Sequence, residues 1–167
     1  MSSIDDRQRV LDAREQAAEA CGFSASKTVY TPDGKEWEVP FFHLFDDDQQ
    51  IRWDALQFEL ETWDHEDSIE IPEQMVDGTK IAARTIKGDL KQPYRKGNVL
   101  VSPPYNVQLA VVVFGEEGYQ RFKAAGGRSS DVALAFLQMK TEWEKRQKSD
   151  PKSLAGVRPL EAVRETD

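Results

Sequence analysis

DDDQQIRWDALQFELETWD, residues 46–64, is the stretch on which the fold turns. Asp46, with Gln49 three residues later, forms a capping box in which Asp replaces Ser or Thr. The triplet Asp46, Asp47 and Asp48 suits the positive end of a helix dipole, which accounts for the three acids better than a metal site does. At about 100° per residue, Trp53, Leu56, Leu60 and Trp63 fall on one side of this helix. Ile51, Ala55 and Phe58 fall on nearly the opposite side. Asp54, Gln57 and Glu61 divide the stripes on one flank, and Arg52 and Glu59 divide them on the other. A surface helix needs only one apolar stripe. The helix over 46–64 is therefore either central to the domain, or it packs one stripe and offers the other to a partner. The first stripe is the larger and is assigned to the core, which leaves Ile51, Ala55 and Phe58 as candidate partner-binding residues.

Upstream, residues 28–40 (TVYTPDGKEWEVP) read as a β-hairpin around Pro-Asp-Gly, with Trp37 and Val39 alternating with glutamates. Phe41, Phe42, Leu44 and Phe45 make an apolar connector. Residues 4–20 read as a polar helix with a thin apolar stripe, an arm rather than core. Downstream, residues 67–102 are irregular and predict two or three short strands, with turns at Asp77-Gly78 and Gly97-Asn98. Pro103-Pro104 starts a helix from Tyr105 that Gly115 ends. A short helix over 116–125 turns Tyr119 and Phe122 inward, and Gly126-Gly127 caps it. The last helix, 130–148, carries Val132, Phe136, Met139 and Trp143 at core spacing, widened by Leu134 and Leu137.

The expected fold is α+β and mostly α, with four to five helices, a small antiparallel β element and a mobile C-terminal tail. The expected division is an N-terminal helical arm over 1–27, one α+β domain over 28–148 and a flexible tail over 149–167. No run approaches the roughly 20 apolar residues that span a membrane, and no apolar secretion stretch follows Met1. The expectation is a soluble protein of a reducing compartment.

Of 167 residues, 22 are basic and 30 acidic, a net charge of −8. Phosphate binding draws on Lys and Arg, so nucleic acid is a poor fit. The charge is blocked. Residues 33–77 hold fifteen acids against Lys35 and Arg52, a balance of −13. Residues 78–100 hold six bases against Asp89, a balance of +5. Such segments meet within one chain or between copies, where opposed fields set register.

Little in the sequence points to catalysis. There is no Gly-rich phosphate loop and no Gly-x-Ser-x-Gly elbow. Cys21, the single cysteine, has no His nearby in sequence to act as its base. His65 in WDHED lacks the i, i+4 spacing of metal-binding helices. The acids come in runs rather than singly in apolar settings, so no enzyme, catalytic residue, cofactor or metal is expected. The helix, Gly-Gly turn and helix over 119–139 have a helix-turn-helix outline. The second helix opens on Ser129, Ser130 and Asp131 rather than on base-reading side chains.

The order of residues carries one resemblance. DDDQQ leads into WDALQFEL, followed by ARTIKGDL at 83–90, Pro93-Tyr94, PPYNVQLA at 103–110, FGEE at 114–117, YQRF at 119–122 and AGGRSSDVAL at 125–134. Over residues 40–148 this resembles the tail assembly chaperones of long, flexible-tailed bacteriophages that infect actinobacteria. The resemblance implies a non-enzymatic assembly factor that coats the tape measure protein and helps load tail tube protein around it. It further implies a homo-oligomer in the host cytoplasm during assembly, bound to neither nucleic acid nor membrane and absent from the mature virion. A structural protein of the head–tail or tail region fits the same features, and a helix-turn-helix regulator fits them less well.

Overall fold

The computed structural model describes residues 3–21 and 24–149. Residues 150–167 of the expected tail lie outside this range. The elements are α1 (Ser3–Cys21), β1 (Ser26–Tyr30), β2 (Glu36–Pro40), α2 (Asp47–Leu60), β3 (Ile69–Ile71), β4 (Gln74–Val76), β5 (Thr79–Ile81), β6 (Arg84–Ile86), β7 (Arg95–Lys96), β8 (Val99–Leu100), α3 (Tyr105–Ala124) and α4 (Ser129–Ser149). The fold is α+β and mostly α, with its strands in small antiparallel ladders.

α3 lies between α2 and α4, and the β1–β2 hairpin closes over α4 and α3. The hairpin pairs Val29 with Trp37 and turns through Gly34, whose N–H donates to the Thr31 carbonyl at 2.9 Å. Its inward residues Val29 and Val39 join Phe41, Leu109, Ala110, Val113, Tyr119, Phe122, Val132, Ala135, Phe136 and Met139 in one core. The connector forms a 3-10 turn over Phe42–Leu44. From there the rings of Phe42 and Phe45 pack on Trp53, which stacks against Phe136 of α4 at 6.0 Å. Of α1, residues 7–17 are exposed and Ala18 is buried in the core.

The capping box at the start of α2 is formed in both directions. The Asp46 carboxylate accepts from the Gln49 N–H at 2.8 Å, and Gln49 Oε1 accepts from the Asp46 N–H at 3.0 Å. α2 ends at Leu60, however, four residues short of the sequence expectation. Thr62 Oγ1 donates to the Glu59 carbonyl, and the Asp64 N–H is taken by the Arg95 carbonyl across the chain. Trp63 therefore lies beyond the helix, yet it is buried against Tyr94 and Tyr105.

Gly115 interrupts α3 at φ 71° and ψ 170°, a conformation that only glycine takes without strain. A break stops the i→i−4 ladder and leaves carbonyls of the preceding turn in need of donors. α2 provides them: Gln49 Nε2 donates to the Val113 carbonyl at 2.9 Å, and Arg52 Nε donates to the Val112 carbonyl at 3.0 Å. Gly126, at φ 87°, follows the end of α3.

Two further expectations are overturned. Residues 67–102 hold six short strands rather than two or three. On α4, Leu134 and Leu137 do not widen the core stripe; they are 53% and 60% exposed. The buried side of α4 is Val132, Ala135, Phe136 and Met139, with Trp143 half-buried. At about 100° per residue, Leu134 and Leu137 lie on the far side of the helix from Val132.

Phe122 is fully buried. Phe122→Ala should lower unfolding free energy by about 3–5 kcal/mol through lost burial and a residual cavity. Leu137→Ala should change it by no more than about 0.5 kcal/mol. Urea denaturation of the two variants beside the parent checks both values.

Candidate partner-binding surface

The stripe assigned to a partner from sequence is open. Ile51 is 66% and Phe58 74% exposed, and Ala55 between them is exposed as well. The opposing stripe turns inward: Leu56 and Trp63 are buried, and Trp53 and Leu60 half-buried.

Beside this stripe runs a groove of about 690 Å³, bounded by α2, α3 and the β7–β8 hairpin. Leu56, Trp63, Val111 and Val112 line it, and Val99, Leu100, Val101 and Pro103 form its lip. Ala55 borders both the groove and the open stripe, while Arg52 and Glu59 stand between the two along the rest of α2. Arg52, Glu59, Lys96 and Glu116 also line the groove. Arg52 is drawn toward the α3 break by its bond to Val112, and Glu59 accepts from Lys96 Nζ at 2.9 Å. That hydrogen bond holds the Glu59 carboxyl below its usual value. Tyr105 is pushed up by burial.

Val99 and Leu100 are strongly exposed, and sequence reading marked them only as a strand. The signal available was the apolar run Val-Leu-Val directly after a Gly-Asn turn. That turn has positive φ at both Gly97 and Asn98. Asp64 anchors it: one carboxylate oxygen accepts from the Gly97 N–H and the other from the Asn98 N–H, each at 2.8 Å. These two bonds, that to Asn98 foremost, hold the Asp64 carboxyl below the ordinary aspartate value, with Lys91 and Arg95 adding to the effect. The acidic and basic segments therefore meet within one chain at this end of the molecule.

Among the described residues, no three His, Cys, Asp or Glu side chains stand close enough to hold a metal ion, and no helix is long and apolar enough to cross a membrane. His65 Nδ1 lies 2.7 Å from the Trp63 carbonyl. Arg128, which a helix-turn-helix reading would turn toward phosphate, instead pairs with Asp131. Comparisons with known protein families, with curated proteins and with solved structures return no match.

Because its folded-state pKa is depressed, Asp64 contributes stability above the unfolded-state value, and that contribution is lost as pH falls through the folded-state value. An NMR titration should place the Asp64 midpoint below about 3.9, the unperturbed aspartate value. At neutral pH, Asp64→Asn should speed hydrogen exchange at the Gly97 and Asn98 amides while leaving the amides of α4 unchanged.

Proposed function

We propose that this protein is a tail assembly chaperone of a long-tailed bacteriophage, acting as a homo-oligomer that holds the tape measure protein while tail tube protein assembles around it. The observation that carries the reading is the exposed apolar stripe of Ile51, Ala55 and Phe58, with a largely apolar groove beside it. Soluble chains rarely leave such a surface uncovered unless something binds there. An amphipathic helix laid along α2 would cover Phe58 and could set further apolar side chains in the groove, the familiar mode of a helix in a groove. The order of residues over 40–148, which resembles that of such chaperones, supplies the identity of the partner. On this reading the protein works in the host cytoplasm and leaves before the virion is complete.

The arrangement also suits reversible holding. Much of the wall is hydrocarbon, and the charges Arg52, Glu59, Lys96 and Glu116 already have partners within the chain. A bound segment therefore gains burial without needing a specific charge, and release requires no chemical step.

Phe58→Asp tests the reading by co-expression with the tape measure protein encoded by the same phage. Removing an exposed aromatic anchor and placing a charge in the contact should weaken capture by about 2 kcal/mol, roughly thirtyfold in Kd. The melting curve of the isolated variant should match the parent, because Phe58 packs on little. Equal capture by parent and variant would sink the proposed surface. Abundant peptides of this chain in purified virions would favour a permanent structural protein instead.

A further inference from the structure

β3 to β6 are not four separate strands. Val76 pairs with Thr79, Gln74 with Ile81, Ile71 with Arg84 and Ile69 with Ile86. All of these pairs keep one register about the turn at Asp77 and Gly78, where φ is positive at both residues. The bridge between His65 and Leu90 has the same register, as do the Glu66 N–H to the Asp89 carbonyl and the Lys91 N–H to the Asp64 carbonyl. Residues 64–91 are thus a single two-stranded ribbon, about 40 Å long at the usual rise per residue. The ladder is interrupted where Pro72, which has no N–H, faces Ala83. Near its base the strands close tightly at Gly88, where a Cβ would collide with the Glu66 carbonyl.

All the residues of β3 to β6 are exposed except Ile71, which is half-buried. A ribbon of two strands is marginal in water when nothing covers it, and both of its edges present unpaired backbone groups. The two edges differ in charge. The outgoing strand, 64–77, carries Asp64, Glu66, Asp67, Glu70, Glu73 and Asp77 and neither Lys nor Arg. The returning strand, 78–91, carries Lys80, Arg84, Lys87 and Lys91 against Asp89 alone. Within β3 to β6 the structure pairs Lys80 with Glu73 at 3.2 Å, both side chains remaining more than half exposed.

We propose that the ribbon is a self-assembly arm, in which the acidic edge of one copy adds as a strand to the basic edge of the next. The occupant is a second copy of this chain because the chain carries both halves of the complementarity. Two acidic edges repel, as do two basic edges, so only the mixed pairing is favoured. With all tips pointing the same way, an outgoing strand lies beside a returning one, and every junction is antiparallel. Each copy uses one edge of each kind. The contact is therefore head-to-tail, and it propagates until it closes into a ring or extends as a helix. The inference goes beyond the chaperone reading and stands whether or not the tape measure protein is the client.

The test is sedimentation velocity of the full chain over a concentration series. The parent should self-associate at 0.1 M salt and shift toward monomer at 1 M, where the Debye length falls from about 10 Å to about 3 Å. Over residues 69–86, Glu70→Lys with Glu73→Lys makes both edges basic, and Lys80→Glu with Arg84→Glu makes both acidic. Each double variant alone should be monomeric, their equimolar mixture should associate, and the quadruple exchange should self-associate again. Should a variant fail to fold, hydrogen exchange on the parent decides: the amides over 69–86 should gain protection as its concentration rises. A parent that stays monomeric at 0.1 M salt, an oligomer indifferent to both double variants, a mixture that does not associate, or ribbon amides unprotected in the oligomer would overturn the proposal.

Discussion

The fold depends on how α2 is fastened to the break in α3. Gly115 interrupts the helix, and the carbonyls of Val112 and Val113 take donors from Arg52 and Gln49. Gln49 also completes the capping box, so one side chain both starts α2 and ties it to α3. That double use sets the rotation of α2 about its axis. Once the rotation is set, Leu56 and Trp53 must point inward, and Ile51 and Phe58 must point out. The orientation of the open stripe thus follows from the satisfaction of backbone carbonyls together with the packing of Leu56 and Trp53 on the inner side.

The rest of the molecule divides into a packed body and a projecting part. In the body, the β1–β2 hairpin, α3 and α4 share one core, and the aromatic connector joins it to Trp53. The projecting part starts where α2 ends. Asp64 manages the transition with three contacts: its N–H donates to Arg95, its carbonyl accepts from Lys91, and its carboxylate holds the Gly97-Asn98 turn. The groove lip and the base of the ribbon thus share one residue.

The charge blocks show how one pattern serves two scales. Close to the body, acid meets base within the chain, as in Lys96 with Glu59 and Asp64 beside Lys91 and Arg95. Along the ribbon the same two blocks lie on opposite strands and leave an acidic and a basic edge. Exposed pairs of this kind add little stability. Their effect is on register and on the choice of neighbour.

Local rules made much of this legible in the sequence. The capping box, the hairpin around Pro-Asp-Gly, the break at Gly115 and the opposed stripes of α2 each depend on residues close together in the chain, where backbone sterics and periodicity act directly. Leu134 and Leu137 were misplaced because a generous stripe was drawn where the helix angle sets them opposite Val132. The end of α2 at Leu60 was hidden because the residues that stop it, Arg95, Gly97 and Asn98, lie more than thirty positions away. The ribbon was missed for a related reason. Its ladders are three residues long, interrupted at Pro72 and weak in any window, and only pairing across the Asp77-Gly78 turn shows them as one object. By itself, the sequence determined which residues start, stop and face which side within each element. Only the tertiary structure decided which apolar residues stay uncovered, because coverage depends on what distant segments bring alongside.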